Sequence, residues 1–294
     1  MTVAPRARYD IPLARGAVLA LGNRCLVMAI LNVTPDSFAE SAPRLDPAQA
    51  IDAALRMEAD GADLIDIGGE STRPGAAAVP AGEELARVLP VIQGLAGRLQ
   101  IPIAVDTYKA DVAAAAIDAG AAIVNDISGL RRDPRLAAVA ASAGAGLVLM
   151  HMRGRSDNMY AEAQYQDVIG EIAAELRESL EAASRAGVGR ERVIVDPGVG
   201  FAKRPVHSYG VLARLPELAA AIERPLLVGP SRKSFLKEAS GGRDPHERDW
   251  ATAAAVTAAV LNGAHIVRVH AVREMVQVVR AADAIRAATK TTDS

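Results

Sequence analysis

Short, mainly apolar runs recur along the chain, and each one gives way to polar or glycine-led sequence. CLVMAIL (25–31) is closed by Asn32, and LIDI (64–67) runs into GGESTRPG. IAV (103–105) meets Asp106, AIV (122–124) meets Asn125, and LVLM (147–150), ending in Met150, meets His151. VIV (193–195) meets Asp196, LLV (226–228) meets GPSRKS, and IVRV (266–269) meets His270. Runs of this kind are expected of strands buried on both faces. Between them lie segments punctuated as helices. The first has Asp46 at the N-cap, Pro47 at the first helical position and Gly61 past its end. Others are expected over 82–99, 109–119 (stopped by Gly120), after Asp133-Pro134, and over 165–186, 208–222, 249–261 and 273–289.

Strict alternation of strand and helix implies a parallel sheet with right-handed crossovers. Eight such units in 294 residues favour a closed α/β barrel, the (β/α)8 or TIM barrel, over an open doubly wound sheet. The first loop carries no GxGxxG, which argues against a dinucleotide fold. Residues 1–22 read as an arm and short hairpin, with turns at Gly16 and Gly22-Asn23, and 290–294 as a polar tail. No shift in composition divides the chain, so 1–294 is expected to be one domain.

Composition narrows the classes. Half the residues are apolar but only 3% are aromatic, so the core must be aliphatic. The net charge is −2 with both signs mixed, which argues against binding nucleic acid through bulk positive charge. The single cysteine, Cys25, excludes an intrachain disulfide and a cysteine zinc cluster. The N-terminus lacks an apolar signal region, and the apolar stretch at 253–269 is broken by Asn262-Gly263 and His265. A soluble cytoplasmic protein without membrane contact is expected.

A barrel gathers its strand C-termini at one mouth. Asp106, Asn125 and Asp196 form an acceptor-rich group suited to a flat heterocycle with several N–H donors, where a carboxylate can take two parallel hydrogen bonds. Lys233 suits a ring carbonyl or a second substrate. Arg73, Arg268 and His270 are cationic and, with Asn32 as a neutral oxygen donor, suit a phosphate or pyrophosphate and Mg2+. Phe38, Pro74 and Phe201 are placed to sandwich an aromatic ring. No HxH or HExxH supports a catalytic zinc, and no GxSxG supports a serine nucleophile.

The segments MAILNVTPDSF, GADLIDIGGESTRPGA, IAVDTYKADVA, AAIVNDISG, VIVDPGVGFAK, LLVGPSRKSFL and GAHIVRVH resemble the dihydropteroate synthase family, from about Leu26 to Val272. That family is a (β/α)8 barrel. The resemblance implies condensation of 6-hydroxymethyl-7,8-dihydropterin pyrophosphate with 4-aminobenzoate, giving 7,8-dihydropteroate and pyrophosphate in folate synthesis. It implies pterin binding by Asp106, Asn125, Asp196 and Lys233, with Met150 beside them. It implies pyrophosphate binding by Asn32, Arg73, Arg268 and His270 with Mg2+, Asn32 being the metal ligand. Thr72, Pro74, Phe38, Phe201 and Ser234 match positions around aminobenzoate, with Ser234 at a helix N-terminus for its carboxylate. Asp106, Lys233 and Arg268 are the expected catalytic groups, and a homodimer is implied. Asp66 is expected to be structural, and Glu70 has no assigned role. The chain departs from the family at 39–44 (AESAPR, without glycine), at Ala202-Lys203-Arg204-Pro205, at Ala251 and at Ala271. Two alternatives are a catalytically silent pterin-binding paralogue and a methyltetrahydrofolate methyltransferase-type barrel. In the latter, the SRKS and RVH anion groups would have no purpose.

Overall fold

The computed structural model describes residues 6–34, 46–71, 75–154 and 159–288. An antiparallel hairpin, β1 (Tyr9–Pro12) and β2 (Val18–Leu21), comes first. Eight parallel strands follow: β3 (Leu26–Asn32), β4 (Leu64–Gly68), β5 (Ile103–Asp106), β6 (Ile123–Asp126), β7 (Gly146–Met150), β8 (Val193–Asp196), β9 (Leu227–Val228) and β10 (Ile266–Val269). Their order is β8-β7-β6-β5-β4-β3-β10-β9. A parallel bridge between Val195 and Leu226 joins the two ends, so the sheet curls into the expected barrel.

Helices α1 (Pro47–Ala59), α2 (Ala81–Leu95), α3 (Ala110–Ala119), α4 (Arg135–Ala143), α5 (Val168–Arg185), α6 (Pro205–Ala213), α7 (Leu215–Ile222), α8 (Asp249–Leu261) and α9 (Val272–Ala288) pack outside it. Asp46 caps α1 by accepting from Ala48 N at 2.9 Å. The one helix expected over 208–222 is two, α6 and α7. Pro216 has no N–H to donate to Leu212 O, and that carbonyl accepts instead from Asn262 Nδ2 at 2.8 Å.

Every strand alternates about the barrel wall. Val27, Ala29, Leu31, Ile65, Ile67, Val105, Val124, Leu149, Val195 and Val267 face the helices in one aliphatic core. Leu26, Met28, Leu64, Ala104, Ile123, Val148, Ile194, Leu227 and Ile266 face inward at the base. There they pack with Ile11, Leu13, Leu19 and Leu21 of the hairpin, which closes that end. Two residues further along, the same inward face carries Asp66, Asp106, Asn125, Met150, Asp196 and Arg268. The side-chain period of two therefore turns an apolar floor into a polar mouth.

Candidate active site

At the mouth a cavity of about 550 Å3 is lined by Asn32, Phe201, Lys233, Ser234, Arg268 and His270, among others. Six residues expected at the site from four strand ends thus share one space. Phe38, Thr72, Arg73 and Pro74 lie outside the described residues, as does the 39–44 segment.

The acceptor group is organised around Asp66. Its carboxylate is fully buried, and Oδ2 accepts from Arg268 Nε at 2.5 Å and Asn125 Nδ2 at 2.8 Å. Arg268 also donates from Nη2 to Asp106 Oδ2 at 2.7 Å. Arg268, expected on the anion side, therefore links that side to the acceptors. Burial pushes Asp106 up to about 7, with Arg268 opposing and Asp66 reinforcing the shift. Burial also works against charge on Arg268, but Asp66 and Asp106 outweigh it and hold its pKa above the usual value.

Lys233 and Asp196 form the other wall. Lys233 Nζ donates to Val199 O at 2.7 Å and lies 4.2 Å from the centre of the Phe201 ring. Burial lowers Lys233 to about 8, with Asp196 resisting and Arg268 assisting. Burial raises Asp196, while Lys233 and the Gly198 N–H, 2.7 Å from Oδ1, pull it back. An ammonium over an aromatic face is a favourable contact.

The GPSRKS turn is held rigidly. Arg232 has φ +59° and a two-pronged ion pair with Asp249 at 2.8 and 2.7 Å, and its N–H donates to Thr252 Oγ1 at 3.0 Å. A non-glycine residue in that backbone region is uncommon and persists where its surroundings impose it. Ser231 Oγ lies 2.9 Å from His270 Nδ1 and accepts from His270 N at 3.2 Å. The helix N-terminus expected at Ser234 is a single 3-10 turn, Ser234–Leu236. Ser234 Oγ instead meets the Tyr160 hydroxyl at 2.7 Å.

Glu70 has a clear position. It accepts from Tyr108 OH at 2.9 Å, Lys109 Nζ at 2.5 Å and Val79 N at 3.1 Å, bracing both ends of the segment after β4. Tyr160 and Met159, which lines the cavity, carry no sequence signal beyond the length of the β7–α5 connection. Lys203 ends the segment VIVDPGVGFAK that carried the resemblance, but its burial was not legible. It lies between Ala202 and Arg204, as a surface lysine would, yet is only 1% exposed.

The comparisons with known proteins agree with this geometry. The family described as "Pterin binding enzyme" matches residues 28–270. The chain belongs to this pterin-binding enzyme family. It is 47% identical over 264 residues to a dihydropteroate synthase of Synechocystis sp., covering 90% of this chain and 91% of that one. Two solved members share the pterin-binding enzyme fold with it. Dihydropteroate synthase of Xanthomonas albilineans with 4-aminobenzoic acid has a TM-score of 0.86 at 40% identity, covering 94% of this chain and 99% of that one. The Burkholderia cenocepacia enzyme complexed with 7,8-dihydropteroate has a TM-score of 0.85 at 42% identity, covering 96% and 98%.

Proposed function

We propose that this chain catalyses the dihydropteroate synthase reaction, a step of folate synthesis. It transfers the dihydropterin-6-ylmethyl group from pyrophosphate to the amine of 4-aminobenzoate: the methylene C–O bond breaks, a C–N bond forms, and pyrophosphate and one amine proton leave. The observation that carries this reading is one mouth holding both chemistries: an inward acceptor group, and beside it a cavity with cations and an aromatic wall. Relatives over nearly the whole chain bear the same name.

In this reading Asp106, Asn125 and Asp196 take the polar edge of the pterin, and Lys233 its carbonyl, beside Met150. Arg268 and His270, with Arg73, hold the pyrophosphate. Phe201, Ser234, Thr72, Pro74 and Phe38 surround the aminobenzoate. Asn32 is the protein's donor to magnesium. Among the described residues no group of three His, Cys, Asp or Glu could hold a metal. That donor set fits a magnesium ion bound mainly through substrate oxygens, as this ion often is. When bound, magnesium neutralises charge on the departing pyrophosphate. The arylamine is neutral and nucleophilic at pH 7, so it needs no strong base. The protein's work is orientation, worth roughly 7–11 kcal/mol when geometry is good, and electrostatic support from Arg268 and Asp106.

The same reading takes residues 1–294 as one domain and places the protein in the cytoplasm; among the described residues no helix is long and apolar enough to cross a membrane. It also takes the protein as a homodimer, with small molecules and not nucleic acid as its other partners. A groove of about 780 Å3 outside the barrel supports the dimer. It is lined by Leu212, Leu236, Ala251, Ala255 and Trp250, a residue 90% exposed; in this reading a second copy of the chain covers that apolar patch.

The test is pyrophosphate release by the purified protein with magnesium, with and without 4-aminobenzoate. Release that depends on both substrates is expected. Pterin binding without release would point to the silent paralogue and sink this reading.

A further inference from the structure

The connection between β8 and α6, residues 197–204, touches the site three times. Gly198 N–H orients Asp196, Val199 O holds Lys233, and Phe201 lies under the Lys233 ammonium. What holds the connection itself does not line the cavity. Lys203 Nζ turns back to Phe201 O at 3.1 Å and sits 2.8 Å from His151 Nδ1. His151 is also buried, and its Nε2 lies 3.2 Å from Glu175 Oε2, poorly aligned for a hydrogen bond. Glu175 is pinned by Arg131 at 3.0 Å and by Arg153 at 2.5 Å.

Two further bonds fix the same stretch: Tyr165 OH donates to Ala202 O at 2.9 Å, and Gly200 N donates to Ser208 Oγ at 3.1 Å. Gly198 passes so close to β7 that a Cβ there would meet His151 O at 2.1 Å. Ala202, fully buried, is held at φ +45° between these anchors. An alanine does not choose that conformation, so its neighbours impose it.

A buried lysine needs a partner. Burial drives Lys203 well below its usual pKa and pushes His151 down to about 3. The imidazole Nδ1 can accept from the lysine whether the lysine is charged or neutral. Lys203 does not line the cavity; Asp196 resists the loss of its charge through space, but no expected site residue except Phe201, through its carbonyl, bonds to it.

We propose that Lys203, partnered by His151, is a positioning residue that fixes residues 197–204 so that Phe201 stays beneath Lys233 as the wall for the aromatic amine. The proposal rests on the reaction proposed above. Neither residue touches substrate; both act through the Phe201 carbonyl and its neighbours.

The experiment compares the full-length wild type with Lys203→Met, His151→Leu and the double variant, in steady state against each substrate separately. Each single variant is expected to raise KM for 4-aminobenzoate about tenfold, with kcat and KM for the pterin pyrophosphate within about twofold of wild type. The double variant should match the singles instead of multiplying them, because both changes cut one contact. Replacing both buried partners with apolar groups leaves neither unsatisfied, so the double variant keeps the test alive if a single variant folds poorly. His151→Gln, which retains an acceptor for Lys203, should recover part of the lost affinity. Unchanged KM values with only a lower Tm would overturn the proposal, as would an equal rise in both KM values. A wild type that releases no pyrophosphate in response to 4-aminobenzoate would defeat the underlying reaction instead.

Discussion

Asp106 sits where two effects oppose each other. Burial favours its neutral form, and the Arg268 guanidinium at 2.7 Å favours its charged form; burial wins, taking it to about 7. The folded protein then holds this proton more tightly than the unfolded chain does, whose carboxyl is near its ordinary 3.8. Asp106 thus contributes stability that is complete below about pH 4 and is lost as pH rises towards 7. Urea denaturation of Asp106→Asn should accordingly show a smaller fall in stability over that range than wild type; parallel profiles would mean that Asp106 stays ionised throughout. Arg268 makes the complementary case. Arg268→Ala leaves Asp66 and Asp106 buried without a counter-charge, and a loss of about 3 kcal/mol is expected at pH 8. Arg268→Lys should recover little, because one ammonium cannot span both carboxylates as the fork does. A denaturation midpoint within error of wild type would refute the assignment. Asp106, Asn125, Asp196 and Arg268 were legible because strand ends in a barrel must converge. The bonds between them were not, since which acceptor a guanidinium chooses depends on three strands at once.

Among the elements, the caps carried the clearest signal. Asp133 was read as the start of a single helix, and it serves two. Its Oδ1 accepts from Arg135 N at 3.1 Å, at the start of α4, and its Oδ2 accepts from Ala110 N at 3.0 Å, at the start of α3. Both bonds satisfy donors that a helix cannot satisfy internally. Asp133→Ala should therefore cost about 2 kcal/mol, the upper range for a cap, in urea denaturation at pH 7, while leaving KM for both substrates unchanged. The division at Pro216 was open to the same kind of reading, but helical periodicity on either side masked it. The β8–α6 connection was less accessible. Its geometry depends on Lys203, Tyr165 and Ser208, which come from separate parts of the chain, and no local pattern announces their meeting.

The molecule as a whole follows from one rule applied to eight strands: alternate residues face inward, and on five of them, β4, β5, β6, β8 and β10, the inward set changes from aliphatic to polar within two residues. Alternating elements made the barrel legible from sequence, whereas the outer surface was not. Trp250 lies in α8, and a contact on the outer surface leaves no periodic trace in a single chain. Trp250→Glu should convert the proposed dimer to monomer, checked by light scattering on a sizing column; an unchanged mass would place the interface elsewhere. The hairpin has a larger consequence. With Ile11, Leu13, Leu19 and Leu21 filling the base, the described residues close that end of the barrel and leave the mouth as the way in. Two reactants and two products must share it, so traffic has an order. On the assignments proposed above, the molecule bound at Asp196 and Asn125 arrives first, and the one at Phe201 and Ser234 stands between it and the way out.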